Sequence, residues 1–173
     1  MVKKIPVNTP PPSSADAQTV LDWDLTEFRF PGVYMMSYKT WSVDASAGIP
    51  HGVRYAFNLF APDAQGEPIN PILRFDNDHA PDGIKTPFDH WHPPKRGPGG
   101  WPIGVDKEQQ LREPLADLPV LFFERGLALL KEMKVDVDNV SRTVGPSRLV
   151  ASDDKETASP TQSSTNIKPR RKK

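Results

Sequence analysis

The chain has no cysteine, and that absence removes a disulfide scaffold, a thiolate zinc site and a cysteine nucleophile together. No apolar run approaches the ~18 residues that a membrane-spanning helix needs. The opening residues Met1-Val2-Lys3-Lys4-Ile5-Pro6 are basic but lack an apolar stretch. That speaks against a secretory signal and makes a cytoplasmic location the expectation, with no membrane partner. Net charge is missing too, since 22 Lys and Arg balance 22 Asp and Glu. The zero hides an asymmetry: residues 151–173 carry six basic and three acidic side chains, so the other 150 residues hold −3. A body of that sign is not the basic footprint of a sequence-reading DNA binder.

Proline, by contrast, is abundant. Its 20 residues among 173 are about 12%, against a usual share of about 5%. The prolines and polar runs divide the chain into a disordered Pro-rich arm (1–18), one α+β domain (19–146) and a disordered Ser/Thr/Lys-rich basic tail (147–173). A middle segment of that length can fold without metal or disulfide staples.

Within it, Thr26–Phe30 alternates into a strand that ends at the Pro31-Gly32 turn. Val33–Val43 is rich in aromatic and β-branched residues, with bulk on both faces, which predicts a central strand. Val53–Phe60 places Val53, Tyr55, Phe57 and Leu59 on one side, and Arg54 and Asn58 on the other. Pro71–Asn77 resumes the pattern after a loop too short for a parallel crossover, so the two pair antiparallel. Six prolines over 78–105 argue against regular structure there. The aromatic residues of that stretch, Phe88, Trp91 and Trp101, predict that it packs onto the sheet. Asp117-Leu118-Pro119 starts a helix, with Asp117 as its cap and Leu118, Phe122, Leu129 and Met133 on its apolar stripe. Gly126 interrupts that stripe, and would let the helix come close to the sheet. Val135–Val140 is a further short strand or an irregular closing segment. The expected fold is a four- to five-stranded, mostly antiparallel meander with one C-terminal helix packed on it.

Three of the four histidines fall within fourteen residues, in Arg74-Phe75-Asp76-Asn77-Asp78-His79 and Phe88-Asp89-His90-Trp91-His92. If the Pro-rich stretch folds back, Arg74, Asp76, Asn77, His90 and His92 meet. Three readings of that patch are open. An ion pair of Arg74 with Asp76 and turn-capping histidines would be purely structural. His90-x-His92 on an extended segment, with Asp76, Asp78 or His79, would suit zinc or non-haem iron. Metal-free acid–base cleavage of RNA would use His90 or His92 as base or acid, Asp76 to orient a histidine and Arg74 to steady phosphorane charge. Trp41, Tyr55, Phe57, Trp91 and Trp101 are either base-stacking faces or core. The tail Lys168-Pro169-Arg170-Arg171-Lys172-Lys173 is either a weak nucleic-acid contact or a solubilising terminus.

The succession Gly52-Val53-Arg54-Tyr55-x-Phe57, Arg74-Phe75-Asp76-Asn77-x-His79 and Phe88-Asp89-His90-Trp91-His92, followed by a Leu/Phe-rich helix, resembles the TumE-type toxins of bacterial toxin–antitoxin systems over residues 33–133. The resemblance implies a compact antiparallel sheet, a helix-turn-helix antitoxin as partner, and an action on RNA or translation. It puts the polar signature on Arg54, Tyr55, Arg74, Asp76, Asn77, His79, His90 and His92. On this reading His90, His92, Asp76 and Arg74 are catalytic, and Arg54, Tyr55, Asn77, His79 and Trp91 bind substrate. No cofactor or resident metal is assigned. The Pro-rich head, the Gly/Pro-rich 93–104 insert and the tail depart from the family pattern. A non-catalytic protein-binding module and a His/Asp metal-dependent enzyme are the alternatives.

Overall fold

Period-two alternation decides the central sheet. In the computed structural model, which describes residues 14–79 and 89–145, Thr26–Phe30 (β1), Tyr34–Ser42 (β2), Val53–Pro62 (β3) and Pro68–Asp76 (β4) form an antiparallel meander. His90–His92 (β5) extends it along the end of β4. Pro94–Arg96 (β6) and Pro102–Val105 (β7) make a separate hairpin. Gln109–Gln110 (β8) then pairs with β5, and Ser141–Val144 (β9) with β1. The large sheet runs β8-β5-β4-β3-β2-β1-β9.

Seven strands therefore replace the expected four to five. The added ones are short or fully exposed: β5 has three residues, β8 two, and β9 no buried position. None is long enough or amphipathic enough to leave an alternating signal. The proline argument over 78–105 also fails for β5, β6 and β7. Pro93 falls between strands, while Pro94 and Pro102 open β6 and β7, positions where a strand tolerates a missing N–H. The 135–140 stretch is irregular and the closing strand follows it.

Two bulges shape β4. Leu59 faces Leu73 but Phe60 faces Pro71, which leaves Ile72 as an extra residue; Ile69 is a second, between Asn70 and Pro68. Pro68 and Pro71 both lie in the half of β4 that β5 does not pair with. The strand thus keeps an unbroken ladder only over Leu73–Asp76, the half that carries the polar cluster.

One sheet face is dry. Met36, Tyr38, Tyr55, Phe57, Leu59 and Phe75 are all fully buried on it, beneath the helix Leu118–Glu132 (α2). Phe122 of α2 sits at the centre, with ring centroids 5.4 Å from Tyr38, 5.7 Å from Phe57 and 5.2 Å from Phe75. A ring so enclosed contributes about 1.5–3 kcal/mol by burial alone. Gly126 meets Met36 and Leu59 so closely that a Cβ there would strike the Met36 methyl, which is the close approach its place in the stripe implied. Asp117 precedes the helix, but its side chain makes no capping hydrogen bond; a 3-10 turn over Leu115–Asp117 leads into α2 instead.

A second helix, Ser14–Leu21 (α1), begins inside the stretch read as a disordered arm. Val20 is fully buried and Ala17 and Leu21 pack against the core. Residues 1–13 and the basic tail from 147 lie outside the described residues.

Candidate functional site

The opposite face carries the polar cluster, and strand parity puts it there. On β4, Leu73 and Phe75 turn to the core, so Arg74 and Asp76 turn away. On β5 the same rule splits the His90-Trp91-His92 triplet. Trp91 stands opposite Phe75, with ring centroids 6.2 Å apart. The Arg125 guanidinium of α2 lies 4.4 Å over the Trp91 ring and is paired with Glu113 at 3.3 Å. This stack clamps β5 to the helix. The two imidazoles consequently emerge together on the other side, with Asp76 facing His90 and Arg74 facing His92.

There four side chains close on one carboxylate. Asp76 is completely buried. Its Oδ1 lies 3.0 Å from His90 Nε2 and 3.1 Å from His79 Nδ1. Its Oδ2 accepts the Nε–H of Arg74 and stands 3.8 Å from His92 Nε2. His79 arrives from the bend just past β4, three residues after Asp76. The rings lie near one another, with centroids 4.8 Å apart for His79–His90, 5.2 Å for His90–His92 and 5.9 Å for His79–His92. Burial acting alone would raise the Asp76 pKa. The hydrogen bond and charge of His90, joined by those of Arg74, outweigh it and hold the carboxyl below its ordinary value.

Access differs sharply within the cluster. The side chain of His90 is 0% exposed, that of His92 14%, Arg74 30% and His79 48%. A substrate can therefore touch His79, Arg74 and the rim of His92, but not His90. His90, expected to serve as acid or base, is enclosed and reaches Asp76 through Nε2. His79, expected only to bind substrate, is the ring that solvent reaches most easily.

The other expected binding residues divide. Arg54 shares the outer face and is held by Asp78, through Nη1 to the carbonyl at 2.6 Å and to Oδ1 at 3.3 Å. Tyr55 and Asn77 do not face the cluster. Asn77 replaces the ladder past the end of β4: its Oδ1 accepts the Tyr55 N–H at 2.9 Å and its Nδ2 donates to the Val53 carbonyl at 2.9 Å. The buried Tyr55 hydroxyl donates to Asp89 Oδ1 at 3.0 Å, where Asn77 Nδ2 also reaches at 3.3 Å and His51 Nε2 stands at 3.7 Å. Burial first, and then the Asp89 and Asp76 charges, push the Tyr55 phenol well above its usual range. Trp91 belongs to the helix side. Tyr55 and Asn77 are buried and hydrogen-bonded within the fold, and half-buried Trp91 packs against Phe75 and Arg125, so none of the three faces the cluster. Phe57 is also core, whereas Trp101 is exposed.

Sequence reasoning missed three contributors. The Asp106 carbonyl, just past β7, lies 3.0 Å from His92 Nδ1. A backbone carbonyl carries no residue-type signal, so nothing along the chain announced it. His51 and Asp89 were visible as polar residues but had no spacing that paired them.

Comparison with known proteins finds no matching family model, no matching curated protein and no matching solved structure. Among the described residues no helix is long and apolar enough to cross a membrane.

Proposed function

We propose that this chain is a toxin-like protein of a two-gene toxin–antitoxin system that acts on RNA, with the cluster around Asp76 as its reaction centre. The observation that carries the reading is the convergence of three imidazoles and a guanidinium on one buried carboxylate. Phosphodiester cleavage needs groups that manage protons near neutral pH and a cation beside the phosphorane charge. Arg74 is the cation, and His79 and His92 are the rings within reach of a scissile phosphate. His90 holds Asp76 from behind. The neighbouring face supplies a path for a strand: Lys39, Ala56 and Asp76 share one cross-strand row, and Trp41 stands beside Arg54 in the next. Lys39 and Arg54 would meet phosphates and Trp41 a base.

Induced expression of the full chain in a bacterium, with growth and RNA integrity followed together, tests the reading. Arrest with RNA decay is expected, relieved by His79→Ala and His92→Ala and by a helix-turn-helix antitoxin encoded beside the gene. Arrest as strong in either folded variant as in the parent refutes it. A second reading, a protein-binding module, draws on the exposed Ile69, Trp101 and Ile103, with β4 and β7 joined where Asn70 Nδ2 donates to the Ile103 carbonyl at 3.4 Å. Trp101→Ala that abolishes antitoxin capture, in a chain that degrades no RNA, would favour it.

A further inference from the structure

We propose that Asp76, His79, His90 and His92 together hold one divalent transition-metal ion, zinc first among them. The inference rests on the cluster read above as the reaction centre, and gives its rings metal ligation in place of proton transfer.

Composition of the donor set is the first argument. One ligand atom from each of the four residues lies within 4.8 Å of all the others. A tetrahedral ion with bonds of about 2.1 Å sets its ligands roughly 3.4 Å apart, so small side-chain rotations close the four onto it. Three imidazole nitrogens and one carboxylate oxygen suit zinc, iron or nickel. Magnesium and calcium prefer oxygen cages and are poorly served.

The second argument is the orientation of His92. A carbonyl oxygen can only accept, so the contact with Asp106 puts the hydrogen on Nδ1 of His92 and turns Nε2 toward Asp76. That nitrogen stands 3.8 Å from Asp76 Oδ2. The gap is too long for a hydrogen bond, and two ligands of a shared ion span such a distance. Metal-binding histidines commonly have their other ring nitrogen fixed in this way, by a backbone carbonyl or a carboxylate. Arg74, on the same Oδ2, orients the carboxylate from outside the tetrad.

The grouping of the rings supplies the third. The centroids of His79, His90 and His92 lie between 4.8 and 5.9 Å apart around one carboxylate, and each ring turns a nitrogen toward Asp76. A single dication placed there would meet three imidazole nitrogens and an anionic oxygen at once. Four protein ligands fill the shell of a tetrahedral ion, so such an ion would take up a water or a substrate oxygen only by expanding to five-coordinate. The exposure of His79 leaves the solvent side of the tetrad open to a substrate.

The full chain, stripped with a chelator, is titrated with zinc chloride by calorimetry at neutral pH. Cobalt chloride then serves as a spectroscopic probe in the same chain. One zinc per chain is expected, with a roughly thousandfold excess of magnesium failing to displace it, and intense visible cobalt bands of a four-coordinate site. His79→Ala and His92→Ala, both at partly exposed positions and checked for unchanged circular dichroism, should weaken zinc on the order of 100-fold or more. His51→Ala, outside the tetrad, should not. Uptake well below one zinc per chain, or affinities in the His79 and His92 variants within about threefold of the parent, overturns the proposal. Zinc binding by a chain that arrests no growth leaves the metal site standing and refutes the toxin reading. Arrest by a chain that takes up no zinc does the reverse.

Discussion

The two faces of the β3–β4–β5 sheet are built from the same strands and alternate residue by residue, yet they do opposite work. Phe57, Phe75 and Trp91 turn toward α2 and are enclosed by Phe122 and Arg125. Arg74, Asp76, His90 and His92, their immediate neighbours in sequence, turn away and gather around a carboxylate. The first face stabilises by removing apolar area from water. The second places polar groups together at a cost in desolvation, which ion pairing offsets. The lesson is that the dry face acts as the jig for the wet one: β5 is only three residues long, and the Trp91–Arg125 stack is what keeps its imidazoles in register.

If that division holds, the largest effect belongs to the wet face and is functional. His92→Ala should abolish growth arrest while shifting stability by no more than about 1 kcal/mol, read from induced growth curves and a urea melt. A variant that loses both equally would break the comparison. On the dry face, Phe122→Ala should cost about 3–5 kcal/mol through its cavity, seen as a lower urea midpoint. Gly126→Leu should cost about 1–3 kcal/mol by overpacking against Met36 and Leu59, with a melt that Met36→Ala partly restores.

A smaller effect sharpens the contrast through pH. The Tyr38 hydroxyl donates to the Pro119 carbonyl at 3.1 Å inside the core, and burial pushes its phenol far above the ordinary tyrosine value, against a small opposing influence of Arg142. A pKa raised on folding contributes stability that is whole below the unfolded value of about 10 and lost as pH rises beyond it. Alkaline melts of the parent should therefore sag above that pH, and those of Tyr38→Phe should sag less, after a loss of about 1 kcal/mol at neutral pH. Smallest of all is the Arg96–Glu132 pair, fully on the surface. Arg96→Ala should leave the melting temperature unchanged, as exposed pairs usually do.

Much of the sheet was legible along the chain because long strands advertise themselves. β1 to β4 follow their alternation to within a few residues, and α2 follows the spacing of Leu118, Phe122, Leu129 and Leu130. The candidate site was legible in its membership, since Arg74, Asp76, His79, His90 and His92 stood out as a cluster of polar types. Their division of labour was not. Burial separates His90 from His79, and burial depends on neighbours distant in sequence. Tyr55 and Asn77 show the same limit: both sit in a motif rich in polar side chains, but their hydrogen bonds run to Asp89 and to the β3 backbone. The short strands β5, β8 and β9 escaped because they form by pairing with an existing edge, and β6 and β7 because they pair only with each other, neither of which local residue preference encodes.

What the sequence by itself determined is which residues face which side, because parity along an extended strand is a local property of the backbone. It also determined that the chain offers no thiol and that the candidate site is drawn from imidazole, carboxylate and guanidinium groups. Only the tertiary structure decided that two segments on either side of residues 80–88 lie one strand apart, that His92 is turned by the Asp106 carbonyl, and that His79 meets solvent while His90 does not. Those outcomes depend on long-range pairing and on which side chains exclude water, and both are properties of the assembled fold.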